Sequence, residues 1–134
     1  INVNLTSHMI IASLIVPIFK KEKFGDIIFM GSESSISGAK NGSLYSAAKF
    51  GLRGFSQALR EDCANRSVRV SIVNPGFVRT KFFDSLDFEP AENKEAALSP
   101  KDVAVVVLNI LALGSNNVIE EVRIAPQKKN IVFK

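Results

Sequence analysis

The sequence predicts an α/β domain built on a parallel sheet, and three observations carry that prediction. Helix-like and strand-like segments alternate along the 134 residues. The strand-like runs at 27–30, 68–73 and 118–125 are short and apolar. Polar turns containing glycine, Gly31–Ser32 and Asn74–Pro75–Gly76, follow the first two runs. A helix between successive strands implies parallel pairing with right-handed crossovers. Ligands of such open sheets bind beyond the carboxyl ends of the strands. Both polar turns are therefore expected to face one crevice.

Each element follows from local pattern. Residues 3–21 read as a helix, apolar nearly all round and so suited to burial on several sides or against a partner. Pro17 should kink it or mark its end. After "KFGD", Ile27–Met30 has the length of a buried strand. Residues 32–43 form a serine- and glycine-rich loop, and Ser43 can cap a helix over about 44–65. Ala48, Leu52, Phe55 and Leu59 give that helix its apolar stripe, and Gly51 and Gly54 would let another backbone approach. "VRVSIV" is the second strand, and "NPG" breaks it. Residues 79–98 form a long mixed segment, a length that in a compact domain is usually functional or mobile. Its Phe82, Phe83 and Phe88 suit either an apolar pocket lining or core. Ser99, Pro100 and Asp102 spell a capped helix start. Val103, Val106, Val107, Ile110 and Leu111 supply that helix's buried stripe, and Gly114 its C-terminal cap. "VIEEVRIA" is a third, weaker strand.

Composition excludes several classes. Hydrophobic residues are 46% and charged residues 22%, which rules out a disordered or fibrous chain. Net charge is +4, but no basic stripe interleaved with aromatics appears, so a nucleic-acid partner is not expected. The single cysteine, Cys63, fits a reducing, cytoplasmic setting and a small buried residue. The apolar run Met9–Phe19 is too short to span a bilayer and lacks a basic n-region, so neither a membrane partner nor a secretory signal is expected. His8 stands alone, and no cluster of histidines and carboxylates offers a metal site. The chain opens without Met directly on helical pattern, which reads as a piece of something longer.

The chemistry converges on the only tyrosine. Tyr45 and Lys49 are four apart on one helix and share a face. A free phenol ionises only near pH ~10; a neighbouring ammonium and a helix N-terminus both favour its anion. Such a phenol can exchange a proton with a substrate oxygen. Ser32, leaving the first strand, can hydrogen-bond the same oxygen. This suits carbonyl–alcohol chemistry in which a cofactor moves hydride, since no side chain supplies one. The pair alone also suits a surface tyrosine packed on a lysine stem.

Context extends the pair. "YSAAKFGLRGFSQALRED" (45–62) resembles the active-site helix of the short-chain dehydrogenases/reductases. "DIIFMGSESS" (26–35) resembles their strand leading to the catalytic serine, with Ser32 at the usual separation from Tyr45. "RVSIVNPGFVRT" (69–80) resembles their proline–glycine turn, and "INVNLTS" (1–7) the start of the helix bearing their asparagine. The resemblance implies Tyr45 as acid–base and Lys49 as the residue that eases its ionisation and binds the nicotinamide ribose. It implies Ser32 as orienter of the carbonyl, and Asn4 as holder of a relay water. Pro75, Gly76 and Val78 would wall the nicotinamide, and Thr80 would bond its carboxamide or a phosphate. Asn2 rivals Asn4, which could instead cap its helix. Ser34 and Ser35 rival Ser32 at poorer spacing. Thr80 could merely start the next segment, and Glu33 is expected in solvent or at the substrate.

The resemblance also implies what is missing. The family opens with a strand, a glycine-rich turn and a helix that cradle the pyrophosphate. Gly38 and Gly42 are the nearest candidates, but they follow no strand at the right place. The chain is thus expected to be the C-terminal, catalytic half of a doubly wound Rossmann-type domain, a single partial domain over 1–134. Its first strand should lie at an open sheet edge. NAD or NADP is expected as the cofactor of the longer parent, with the piece alone inactive. A homodimer or homotetramer through helices 3–21 and 44–65 is also expected. A non-catalytic interaction module is the alternative, against which all four of Asn4, Ser32, Tyr45 and Lys49 count. A sugar-nucleotide epimerase would share Tyr45 and Lys49 but fits "NPGFVRT" less well.

Overall fold

In the computed structural model, which describes residues 1–134 throughout, α-helices alternate with the parallel strands of the main sheet as far as residue 124. A π-helical turn, Asn2–Thr6, runs without a break into α1 (Ser7–Glu22). Pro17 lies inside α1 and does not end it. Lys23 stops the helix instead, in the left-handed conformation at φ 55°. β1 (Gly25–Met30) follows at once, with the Phe19 ring lying where a Cβ on Gly25 would be.

The loop after β1 is more ordered than its composition suggests. Ser32 and Ser35 form a reciprocal capping box around a 3-10 turn, Glu33–Ser35. α2 (Ser43–Cys63) begins one residue early, with Gly42 at its boundary and no side-chain cap. Ser43 is therefore the first helical residue and not the expected cap. Nearby, Ser46 Oγ accepts the Ala39 N–H at 3.1 Å, which ties the loop to the helix. β2 (Val68–Pro75) runs on through Asn74 and Pro75, and the break falls at Gly76.

The segment 79–98 holds 3-10 turns at Lys81–Phe83 and Lys94–Ala96 and a short strand, β3 (Phe88–Pro90). α3 (Pro100–Ala112) starts with the expected box: Ser99 Oγ accepts the Asp102 N–H, and the Asp102 carboxylate accepts from Ser99. Those bonds hold the Asp102 carboxyl below its usual range, and such a box satisfies donors at the start of the helix that would otherwise lack partners. α3 closes at Leu113 in an extended conformation, so Gly114 is not its cap. Of its stripe only Ile110 is buried, and Leu111 is exposed. β4 (Glu121–Ile124) completes the alternation. β5 (Ile131–Phe133) pairs antiparallel with β3, in a stretch whose local pattern predicts no element.

The main sheet is parallel throughout, in the order β1-β2-β4. β2 sits in the middle, and Val68, Val70, Ile72 and Val73 are buried, as central strands of parallel sheets require. Ala12 and Val16 of α1, Phe29 of β1 and Leu52 and Cys63 of α2 close the core around it. Burial pushes the Cys63 thiol up, leaving a packing residue with no reactive character. Gly51 lets α2 approach the opening turn, because a Cβ there would lie 2.9 Å from Leu5 Cδ2, whereas Gly54 faces open space. The two glycines thus do not share the expected close approach within this chain.

β1 has β2 on one side only, so its other edge is open as expected. Met9, Ile10, Leu14 and Ile18 of α1 are exposed. The continuous helical stretch Asn2–Glu22, whose most apolar 18-residue window has a mean hydropathy of 1.5, is long and apolar enough by length and composition to cross a membrane. It exceeds the Met9–Phe19 run because the flanking turns are also helical. In this fold its Ala12 and Val16 face is committed to the sheet.

Candidate active site

The two polar turns meet at the carboxyl ends of β1 and β2. The Gly31 N–H donates to the Val73 carbonyl at 2.7 Å. The Ser32 N–H donates to Asn74 Oδ1 at 3.3 Å and to Ser35 Oγ at 3.1 Å. Glu33 Oε2 lies 3.1 Å from where a Cβ on Gly76 would be. A Cβ on Gly31 would overlap Asn74 Oδ1, so only glycine lets this turn close over the buried amide.

Tyr45 occupies the first turn of α2, half-buried, and its hydroxyl has no hydrogen-bond partner within the chain. Lys49 lies one turn on and is buried, 7% exposed. Its Nζ sits 5.7 Å from the Tyr45 ring centroid and donates to the Met30 carbonyl at 3.0 Å. Met30 is two residues before Ser32, so this bond ties the tyrosine helix to the serine turn. Burial pushes the Lys49 ammonium below its ordinary range. An ammonium has three donors, and Met30 uses one. The Ser32 hydroxyl accepts the Ser34 N–H at 3.1 Å, which leaves its own O–H free to donate. Ser34 and Ser35 are buried in the turn, and Ser35 Oγ serves the Ser32 N–H.

Asn4 lies in the π-helical turn, an irregularity found frequently at functional sites. The contact of its neighbour Leu5 with Gly51 brings this turn against α2. His8, one turn later, tilts on the Phe29 ring and feels Lys49: burial first, and that charge second, push its imidazole down. It is a packing residue against Phe29, as its isolation in the sequence implies.

On the other wall, Gly76 donates to the Ile124 carbonyl at 2.8 Å and abuts Pro126. The Phe77 carbonyl and the Arg79 N–H both bond Leu98. Val78, between them, therefore turns its own N–H and carbonyl away from Leu98. Thr80 Oγ1 accepts the Phe82 N–H at 3.2 Å and caps the 3-10 turn, the plainer of its two expected roles. Of the three phenylalanines, Phe83 is buried against Phe77 and Phe88, while Phe82 is exposed with its ring centroid 6.1 Å from that of Tyr45. Phe82 thus belongs to the site side, and Phe83 to the core.

Sequence reasoning missed three polar residues beneath the site. Asn74 is fully buried, and its Nδ2 donates to Glu121 Oε1 at 2.6 Å. Arg53 grips the same carboxylate with Nε at 2.7 Å and Nη2 at 3.2 Å. Arg53 follows Lys49 by four residues, the spacing that joined Tyr45 to Lys49, and could have been found on that signal.

Comparison with known proteins points the same way. A family model described as short chain dehydrogenase matches residues 1–90. An NADP-dependent 3-hydroxy acid dehydrogenase of Schizosaccharomyces pombe is 32% identical over 133 residues, covering 94% of this chain and 51% of that protein. A 3-oxoacyl-[acyl-carrier-protein] reductase of Thermotoga maritima is 32% identical over 117 residues, covering 81% and 46%. The crystal structure of serine dehydrogenase from Escherichia coli superposes with TM-score 0.76 at 26% identity, covering 90% and 49%. The chain thus spans about half the length of the curated relatives it matches.

Proposed function

Because this chain belongs to the short-chain dehydrogenase family, we propose that it is the catalytic half of an NAD(P)-dependent oxidoreductase that interconverts a carbonyl and an alcohol. The observation that carries this reading is the pairing of a free Tyr45 hydroxyl with a buried Lys49 whose ammonium is anchored two residues before Ser32. Burying an ammonium is costly unless it is used, and a structural role would be served better by an apolar residue.

The residues present fit a nicotinamide dinucleotide on two counts. Lys49 keeps donors beyond its Met30 bond, suited to ribose hydroxyls. Val78 keeps a backbone N–H and carbonyl unclaimed by the neighbouring strand, suited to a carboxamide. Pro75 and Gly76 form the adjoining wall, and Thr80 retains its hydroxyl proton as a donor. When bound, the cofactor supplies or accepts the hydride. The relative named as NADP-dependent favours the phosphorylated form.

The chain's own residues handle the oxygen. Ser32 donates its O–H to the substrate carbonyl oxygen and holds it in place. Tyr45 gives that oxygen a proton in reduction and takes it back in oxidation. Lys49 orients the ribose and stabilises negative charge on the phenol oxygen. Asn4 holds the water through which the proton is replenished. Phe82, beside the Tyr45 ring, presents an apolar surface to the substrate.

The assignment of 1–134 as one partial domain has a direct consequence. A second half carrying the glycine-rich turn would supply the pyrophosphate site and cover the open edge of β1. Exposed Met9, Ile10, Leu14 and Ile18 on α1, with Phe50 on α2, suit a homodimer or homotetramer. Calorimetry with NADPH and NADH tests the division of labour. The 134-residue chain alone should give no binding heat at about micromolar concentration, while a longer protein that adds the glycine-rich half should bind. Micromolar binding by the chain alone would contradict it.

A further inference from the structure

We infer that Arg53, Glu121 and Asn74 are positioning residues that lock the Ser32 turn onto the Tyr45 helix through a closed circuit of hydrogen bonds. The circuit can be walked. From α2, Lys49 Nζ reaches the Met30 carbonyl at the end of β1. Two residues on, the Ser32 N–H reaches Asn74 Oδ1 on β2. Asn74 Nδ2 reaches Glu121 on β4. Glu121 is held by both arms of Arg53, which returns to α2 one turn from Lys49. Every element that carries a proposed catalytic side chain, except the opening turn with Asn4, is thereby tied to its neighbours.

Chemistry fixes the order of the links. Once Nδ2 is claimed by one neighbour, the orientation of a buried Asn amide is set and Oδ1 faces the other side. The Glu121 carboxylate, an acceptor only, claims Nδ2 and so turns Oδ1 toward the Ser32 N–H. Arg53 satisfies and aims the carboxylate with a planar fork that lysine could not supply. Gly31 leaves room for the amide under the turn. Hydrogen bonds in a shared circuit reinforce one another, so breaking one link loosens the others. The catalytic consequence rests on the function proposed above, whereas the tie itself does not.

Amide hydrogen exchange on the 134-residue chain, resolved at Ser32, tests the tie without cofactor or substrate. Glu121→Ala should speed exchange at the Ser32 amide by about tenfold, as loss of one charge-assisted link implies. Glu121→Gln keeps an acceptor for Asn74 and should have a smaller effect. The control is Asp26→Asn, which removes the Arg69 ion pair at the other end of the same two strands and should leave Ser32 unchanged relative to its neighbours. If Glu121→Ala does not fold, faster exchange at Ser32 in Glu121→Gln than in Asp26→Asn supports the circuit. Unchanged Ser32 exchange in the Glu121 variants, equal acceleration in Asp26→Asn, or an unprotected Ser32 amide in the unaltered chain overturns it. Failure of a longer protein to reduce carbonyls, with the exchange pattern intact, would defeat the functional reading alone.

Discussion

Tyr45→Phe will lower kcat by about 10²–10⁴-fold in a longer protein that carries both halves, with KM for the cofactor little changed. The substitution removes one oxygen and leaves the ring. The packing against Phe82 and beneath Lys49 Nζ needs only that ring, so fold and cofactor site should persist. What disappears is the group proposed to exchange a proton with the substrate oxygen. Because that exchange belongs to the chemical step, the loss should fall on kcat. Steady-state kinetics, with far-UV circular dichroism as the check on folding, measures it. Retention of more than about a tenth of the wild-type kcat would remove Tyr45 from the chemistry.

Lys49→Met will separate activity from stability. Methionine keeps the length and apolar stem but loses the ammonium, so kcat should fall by about 10²–10³-fold. Stability should respond to pH in a set direction. Burial lowers the Lys49 pKa in the folded chain below its ordinary value of about 10.4. The unfolded chain therefore binds a proton more readily, and folding is penalised below the lowered pKa. The penalty fades as pH rises through the window between that pKa and the unfolded value. The methionine variant carries no such penalty. Its stability relative to wild type should be most favourable near neutrality and shrink as pH climbs toward about 10. Urea unfolding of both proteins across that range reads the difference, and a gap that stays flat or widens would show that Lys49 is not held as described.

The parallel architecture was legible because its signals are local. Short apolar runs between helical patterns name the strands, and β1, β2 and β4 all lie within or beside the runs read from sequence. The capping box at Ser99 was legible for the same reason. The β3–β5 pair was not, since Phe88–Pro90 and Ile131–Phe133 are three-residue strands joined across more than forty positions. Three residues carry too little periodicity to read. Ser43 is not the cap because the helix begins one residue earlier than the pattern implies, which puts Gly42 at the boundary and Ser43 in the first turn.

The site divides similarly. Tyr45 and Lys49 were visible as a spaced pair, and the structure gives Lys49 the anchor that spacing alone could not, a main-chain carbonyl on β1. Asn74 read as part of a turn, yet it ends up fully buried and aimed by Glu121. Its partner lies forty-seven residues away, beyond any local pattern. Phe82 and Phe83 are adjacent and chemically identical, so only the fold could assign one to the site and the other to the core.

Isotope transfer reaches the central claim most directly. The longer protein is incubated with NADPH deuterated at C4 of the nicotinamide and a panel of ketones, and the alcohol formed is examined by mass spectrometry and NMR. Deuterium on the carbinol carbon, delivered from one face of the nicotinamide and lost when Tyr45 is Phe, is the predicted result. Alcohol formed without deuterium at that carbon, or no turnover of any carbonyl by a protein that binds NADPH, would contradict the account.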